Sequence, residues 1–186
     1  MHTSYGHCSL FLNPQQHNFS IQHDPHFISA LQEIGLISKK INLQETDDRY
    51  FTGDNFLEHI AYMGCAPAIQ FEADENSDTF CHVKIHYCKS AKLIYSKTHS
   101  RPPQCPNCKK PVANWQDKQS DTSIECDRCC TTARIDQFNW RKMAGYARLF
   151  IEITDIFPKE AIPQPALLDK LTAITGVKWL YFYSCQ

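Results

Sequence analysis

Cys105-Pro106-Asn107-Cys108 and Cys126-Asp127-Arg128-Cys129 are two CxxC pairs with seventeen residues between them, and their reading decides how the rest of the chain divides. A CxxC pair wraps a tight turn that aims two thiolates at one point. The intervening residues, Lys109 to Glu125, are polar enough to form a hairpin that returns the second pair to the first. Four sulfurs then close a tetrahedron about 2.3 Å from one Zn2+ ion. With four protein ligands no coordination position remains for water, which makes such a zinc structural rather than catalytic. A module of about thirty residues has too small a core to fold alone, and the metal supplies the missing free energy.

Cys105, Cys108, Cys126 and Cys129 are the expected metal ligands, with Cys130 a competitor beside Cys129. Three other chemistries use similar cysteines, and disulfides are the least expected of them in a cytosolic chain. A dithiol redox centre needs one CxxC at a helix N-terminus, whereas here two pairs flank a polar hairpin. An iron-sulfur centre also takes four cysteines, and spacing alone does not separate it from zinc. Residues from about 103 to 135, with the Cys-Pro-x-Cys form of the first knuckle, resemble the zinc-ribbon family. That resemblance implies a metal-stapled module that serves nucleic-acid machines, protein contacts or plain structure, and fixes none of these.

Outward from the ribbon the texture changes. His99-Ser100-Arg101-Pro102-Pro103-Gln104 reads as a hinge, because two successive prolines extend neither a helix nor a central strand. We therefore expect one α+β domain, residues 1–100 and 136–186, interrupted by a zinc-ribbon insert over 101–135. Pro165 opens a helix whose stripe is Leu167, Leu168, Leu171 and Ile174 and which Gly176 closes. Val177 to Tyr183 follows as a strand, and Leu149 to Thr154 precedes as another, although Met143 to Phe157 also reads as helix. Upstream, Asp24-Pro25 caps a helix ending at Gly35, with Phe27, Leu31 and Ile34 on its buried face. A strand over Asn18–Gln22 is expected before it. Two strand-helix-strand units flanking the insert predict a two-layer sandwich of ferredoxin-like or related type. Between them the pattern predicts a helix over Gly53–Gly64 with Phe56, Leu57, Ile60 and Met63 inward. Strands over Ala68–Glu72 and Thr79–Tyr87 follow, separated by the polar loop 73–78.

On the second of these strands, alternation puts Cys81, Val83, Ile85 and Tyr87 on one face, and His82, Lys84, His86 and Cys88 on the other. His82 and His86 lie about 13 Å apart along a strand, too far to share an ion directly. His86 and Cys88 are close enough to chelate one with ligands from elsewhere, such as His59 or Cys65. The plainer expectation is a polar, solvent-facing strand surface. His2, His7, His17, His23 and His26 show no repeated spacing and define no metal tract. Cys8, Cys65 and Cys185 occur singly and are expected as small buried hydrophobes rather than disulfide partners.

The 186 residues are 42% apolar and carry a net charge of −1, which excludes a protein that coats nucleic acid over its whole surface. The charge is uneven: residues 97–142 hold nine Lys and Arg against five Asp and Glu. Trp115 among Lys109, Lys110, Lys118, Arg128 and Arg134 is a pattern that stacks on bases and meets phosphates, or else covers a small ribbon core. Phe138 and Trp140 should pack the ribbon on the body. There is no glycine-rich phosphate loop, HExxH or GxSxG motif. No run of some eighteen apolar residues and no export signal is seen, so the expected location is cytoplasmic. The layout of Phe80-Cys81-His82-Val83, the two knuckles and Tyr181 to Cys185 is similar to bacterial proteins from which no role carries over. The favoured expectation is a non-enzymatic binding or adaptor module that uses the basic ribbon segment toward a protein or nucleic acid. A metal- or thiol-responsive protein with a second, exchangeable site and an enzyme of unrecognised family are the alternatives. Oligomeric state is not legible.

Overall fold

The computed structural model describes residues 8–21, 24–41, 48–63, 69–72, 80–98, 101–120, 122–156 and 160–185. The chain folds as α+β, with three helices and eleven strands among those residues. Strand β1 (Cys8–Pro14) leads to helix α1 (Pro25–Glu33), then to β2 (Ile37–Lys40), β3 (Asp48–Thr52), the single turn α2 (Phe56–His59), β4 (Ile60–Tyr62) and the long β5 (Val83–Tyr95). The segment between β5 and the next long strand carries β6 (Gln119–Ser120), β7 (Ser123–Glu125) and β8 (Thr132–Arg134). After it come the long β9 (Ala144–Ile156), β10 (Ala161–Pro163), α3 (Pro165–Thr175) and β11 (Trp179–Cys185).

One antiparallel sheet of six strands runs in the order β11-β1-β9-β5-β3-β2. Its first four strands trace a β-α-β-β-α-β path in which β5 and β9 form the central hairpin. The segment with β6, β7 and β8 leaves that hairpin's tip, between Tyr95 and Ala144. Both longer helices pack on one face: Phe27 and Leu31 of α1 and Leu167 and Leu171 of α3 are buried with Leu10, Leu12, Val83, Leu149, Ile151, Ile153 and Trp179. Helix α1 is set by Asp24, whose Oδ1 accepts from the His26 N–H at 2.9 Å, by Pro25 at N1, and by Gly35 just beyond it at φ +73°.

The other sheet face is covered by the sheet itself. Pairing of β5 with β9 shifts register between Tyr87 and Lys92, and beyond that irregularity the hairpin arches back toward β11. Ser184 Oγ donates to Tyr95 O at 3.1 Å, the Lys97 N–H to Cys185 O at 3.0 Å, and the Tyr183 N–H to Lys142 O at 3.0 Å. Phe11, Ala147, Phe150 and Phe182 are buried beneath this arch.

Several elements depart from their sequence patterns. The strand before α1 is Cys8–Pro14, not Asn18–Gln22. Pro14 ends it and a turn follows, in which the Phe19 N–H donates to Gln16 O at 3.0 Å. The expected helix over Gly53–Gly64 is one turn that becomes β4, because β4 pairs with β10, Ile60 opposite Pro163. Phe56 and Ile60 are buried as expected, but Leu57 and Met63 are 60% and 63% exposed. Ile69–Glu72 is irregular rather than a strand, and Gln70 O accepts from the Cys81 N–H at 2.7 Å. The loop 73–78, Cys65, and the hinge residues His99 and Ser100 lie outside the described residues, as do His2, His7 and His23.

Candidate metal centre

Each CxxC pair is held by the same three-part backbone device. In the first, Cys105 N–H donates to Lys110 O at 2.9 Å and Lys109 N–H returns to Cys105 O at 3.0 Å. In the second, Cys126 N–H donates to Thr131 O at 2.9 Å and Cys130 N–H returns to Cys126 O at 2.8 Å. The residue after each second cysteine takes a left-handed conformation, Lys109 at φ 59° and Cys130 at φ 54°. That twist lets the loop close under the sulfurs, and glycine would adopt it most readily.

The two knuckles face each other. Sγ of Cys105 lies 3.7 Å from that of Cys129, and Sγ of Cys108 lies 3.7 Å from that of Cys126. All four sulfurs fall within 4.8 Å of one another. A tetrahedron with metal–sulfur bonds of about 2.3 Å has edges of about 3.8 Å, so the spacing suits Zn2+. Cys105 and Cys126 are buried, while Cys108 and Cys129 are partly exposed. Cys130 is exposed and stands outside the cluster. Its left-handed position in the turn is the reason.

Groups around the sulfurs tune them. Burial raises Cys126, whereas the hydroxyl and backbone N–H of Thr131 lower Cys129. Asn107 Nδ2 donates to the same Thr131 hydroxyl at 3.0 Å, tying one knuckle to the other. Oxygen and nitrogen groups of this kind orient first ligands and steady their charge.

A small core surrounds the site: Val112, Trp115, Ile124, Ile135 and Phe138 are buried with Cys105 and Cys126, and Leu93, Tyr95 and Tyr146 from the β5/β9 hairpin pack against them. Trp115 meets Tyr95 and Trp140 edge-on, with centroids at 5.1 and 4.9 Å. Its ring therefore belongs to the core and offers no stacking surface. The expected packing of Phe138 and Trp140 is present. Of the five basic residues noted around Trp115, Lys118 is paired with Asp127 at 2.9 Å, and Arg134 with Asp136 at 2.6 Å.

Of the remaining candidates, His86, His82, His59 and His17 are held by structural partners. Face alternation along β5 is as expected, but His86 Nε2 lies 2.7 Å from Glu152 Oε2, and Ser9 Oγ donates to Glu152 Oε1 at 2.7 Å. His82 Nδ1 lies 2.9 Å from Phe80 O and 3.0 Å from Thr154 Oγ1, and burial lowers its pKa. Burial likewise raises the Cys88 thiol. His59 is buried with Nε2 2.7 Å from Ile34 O, and His17 sits against Arg134 and Asp136. The four-cysteine cluster is the only grouping of three or more such ligands among the described residues.

Cys8 and Cys185 overturn the reading of them as single buried thiols. They face each other across β1 and β11, Cα atoms 4.2 Å apart, and form a disulfide. The sequence held no sign of it, since the two lie 177 residues apart. Sequence reading also missed the Ser9–Glu152–His86 cluster, which only the strand register assembles.

These features define an α+β chain whose central hairpin leads into a cluster of four cysteines spaced so that they could hold a metal ion. No family model, no curated protein and no solved structure matches it. Among the described residues, no helix is long and apolar enough to cross a membrane.

Proposed function

We propose that Cys105, Cys108, Cys126 and Cys129 bind one structural Zn2+ as a zinc ribbon, folded as an insert over about residues 101–135. On this reading the chain is a non-enzymatic binding or adaptor module for a protein or nucleic-acid partner. The observation that carries the metal assignment is the 3.7 Å spacing of facing sulfurs. A four-thiolate set leaves zinc no open position, so its role is to hold the insert's small core together. Lys109, Lys110 and Arg128 remain as the basic side of the ribbon. A cytoplasmic location goes with reduced ribbon thiols. The disulfide between Cys8 and Cys185 weighs against that location.

Elemental analysis of the purified chain tests the first claim: one zinc per chain is expected, and iron or no metal would refute it. Binding to RNA and DNA across a salt series tests the nucleic-acid branch, which fails if no affinity appears even at low salt.

A further inference from the structure

We propose that the edge of β11 at Trp179–Tyr181 docks an extended acidic peptide, which joins the sheet as an added strand. The proposal rests on the binding-module reading and names the partner's chemistry.

Register defines the free edge. Gln15 N–H donates to Lys178 O at 2.8 Å, so residue pairs two apart from this one, such as Asn13 and Leu180, are the hydrogen-bonded pairs of the β1/β11 ladder. The N–H and C=O groups of Trp179, Tyr181, Tyr183 and Cys185 therefore point away from β1. The arch of the β5/β9 hairpin covers the last two: Lys142 O takes the Tyr183 N–H, while Ser96 Oγ and the Lys97 N–H take Cys185. Trp179 and Tyr181 have no such main-chain partner among the described residues. Their two N–H and two C=O groups alternate at the spacing of a strand.

These groups line a groove of about 340 Å³ between β11 and the segment that leaves the ribbon. Its wall carries Arg141 and Lys142, successive residues at φ 53° and 59°. Two adjacent left-handed non-glycine residues are strained, and such strain gathers where a chain positions side chains for binding. Arg141 Nε is buried there without an acceptor among the described residues, although the same guanidinium donates through Nη2 to Pro102 O. The Lys142 ammonium lies 4.1 Å from the centre of the Tyr181 ring. Asp136, also in the lining, is already paired with Arg134 and His17. Lys142 Nζ also donates to the Tyr181 hydroxyl, and the one carboxylate in the lining is already paired, so the Arg141 and Lys142 charges face no free anion, which peptide carboxylates supply. Leu180, 49% exposed, offers an apolar contact to the incoming strand.

Peptide is favoured over nucleic acid because the rings that line the groove are already engaged. Trp179 is 4% exposed, the Lys142 ammonium lies over Tyr181, Tyr146 stacks on His17 with centroids 5.5 Å apart, and Trp140 meets Trp115 edge-on. Base stacking needs a free ring face, whereas strand addition uses the main-chain groups that are present.

The test is selection of random linear peptides, displayed in a library, against the zinc-loaded full chain, followed by fluorescence anisotropy. Enrichment of acidic sequences is expected. Their Kd should rise about tenfold in Arg141→Ala, with Lys142→Ala used where that variant does not fold. Tyr181→Pro deletes an N–H that faces away from β1, so it should bind about fivefold more weakly than the side-chain control Tyr181→Ala. No enrichment, enrichment without acidic residues, or equal binding by these variants would overturn the proposal. So would an oligonucleotide that binds through the same residues. Zinc content measured on each sample keeps the two readings apart. Full zinc with no peptide binding sinks the docking site alone, and wild-type protein without zinc sinks the ribbon assignment whatever the peptides do.

Discussion

Cys130 holds in the second knuckle the place that Lys109 holds in the first. Both are left-handed, and the N–H of each donates to the carbonyl of its knuckle's first cysteine. The backbone that builds the metal site thus also turns the Cys130 thiol away from it.

Replacing Cys130 by glycine should leave zinc at one per chain and raise stability by about 1 kcal/mol, because glycine takes the left-handed conformation without steric cost. Cys129→Ser should lose the metal. Elemental analysis with thermal unfolding of both variants decides; zinc lost from the glycine variant would make Cys130 a ligand.

Removing zinc with a chelator should unfold the insert and spare the sheet, since Val112, Trp115, Ile124 and Phe138 form a core separate from that under α1 and α3. Trypsin should then cut at Lys109, Lys118 and Arg128 while far-UV circular dichroism changes little. Acid should release the metal as well, because only the thiolates bind it. A colorimetric zinc indicator read across a pH series follows that release.

Glu152 predicts a second pH effect. Burial works to raise its pKa, but the hydrogen bonds from His86 and Ser9, with the Lys84 charge, outweigh burial and hold it below the ordinary value. A depressed folded pKa contributes stability that is complete above the unfolded value of about 4.3 and is lost as pH falls through the folded one. Glu152→Gln should cost about 1–3 kcal/mol at neutral pH and flatten the acid limb. Urea unfolding of both proteins over about pH 3 to 7 measures it.

Gly145 lies where the arch meets Phe182. A Cβ there would stand 2.3 Å from Phe182 Cε1, and that ring is buried with Phe11, Ala147 and Phe150. Gly145→Ala should destabilise by about 1–3 kcal/mol. Gly176→Ala meets nothing within 4 Å and should cost about 1 kcal/mol through its φ of +74° alone. Equal midpoints in denaturant would contradict the difference.

Cys8→Ser should lower stability by about 2–4 kcal/mol, the usual effect of losing a bridge that closes a long loop. Alkylation of unfolded protein without reductant should leave Cys8 and Cys185 unmodified. Labelling of either would place both as thiols.

What could be read from the sequence follows the range of each signal. The metal knuckles and the capped helices α1 and α3 depend on residues a few positions apart, and Asp24, Pro165 and Gly176 marked their ends correctly. Strand β1 was missed because Leu10, Phe11 and Leu12 are all buried, one face under the helices and the other under the arch, so no alternation remained. The 53–64 stretch has helical spacing, yet pairing of β4 with β10, exchanged between residues about a hundred positions apart, overrode it after one turn. The partnership of His86 with Glu152 and that of Cys8 with Cys185 depend on register, which local pattern does not encode.

The bond between Cys8 and Cys185 joins adjacent strands at opposite extremes of the described chain, which makes the backbone a covalent ring that includes the four-cysteine segment. A protease that cuts once within the four-cysteine segment opens this ring without dividing the molecule. The nicked protein should run as one band on a non-reducing gel and as two after reduction. The same adjacency suits circular permutation, with residues 8 and 185 joined by a short linker and new ends opened between Cys108 and Cys126.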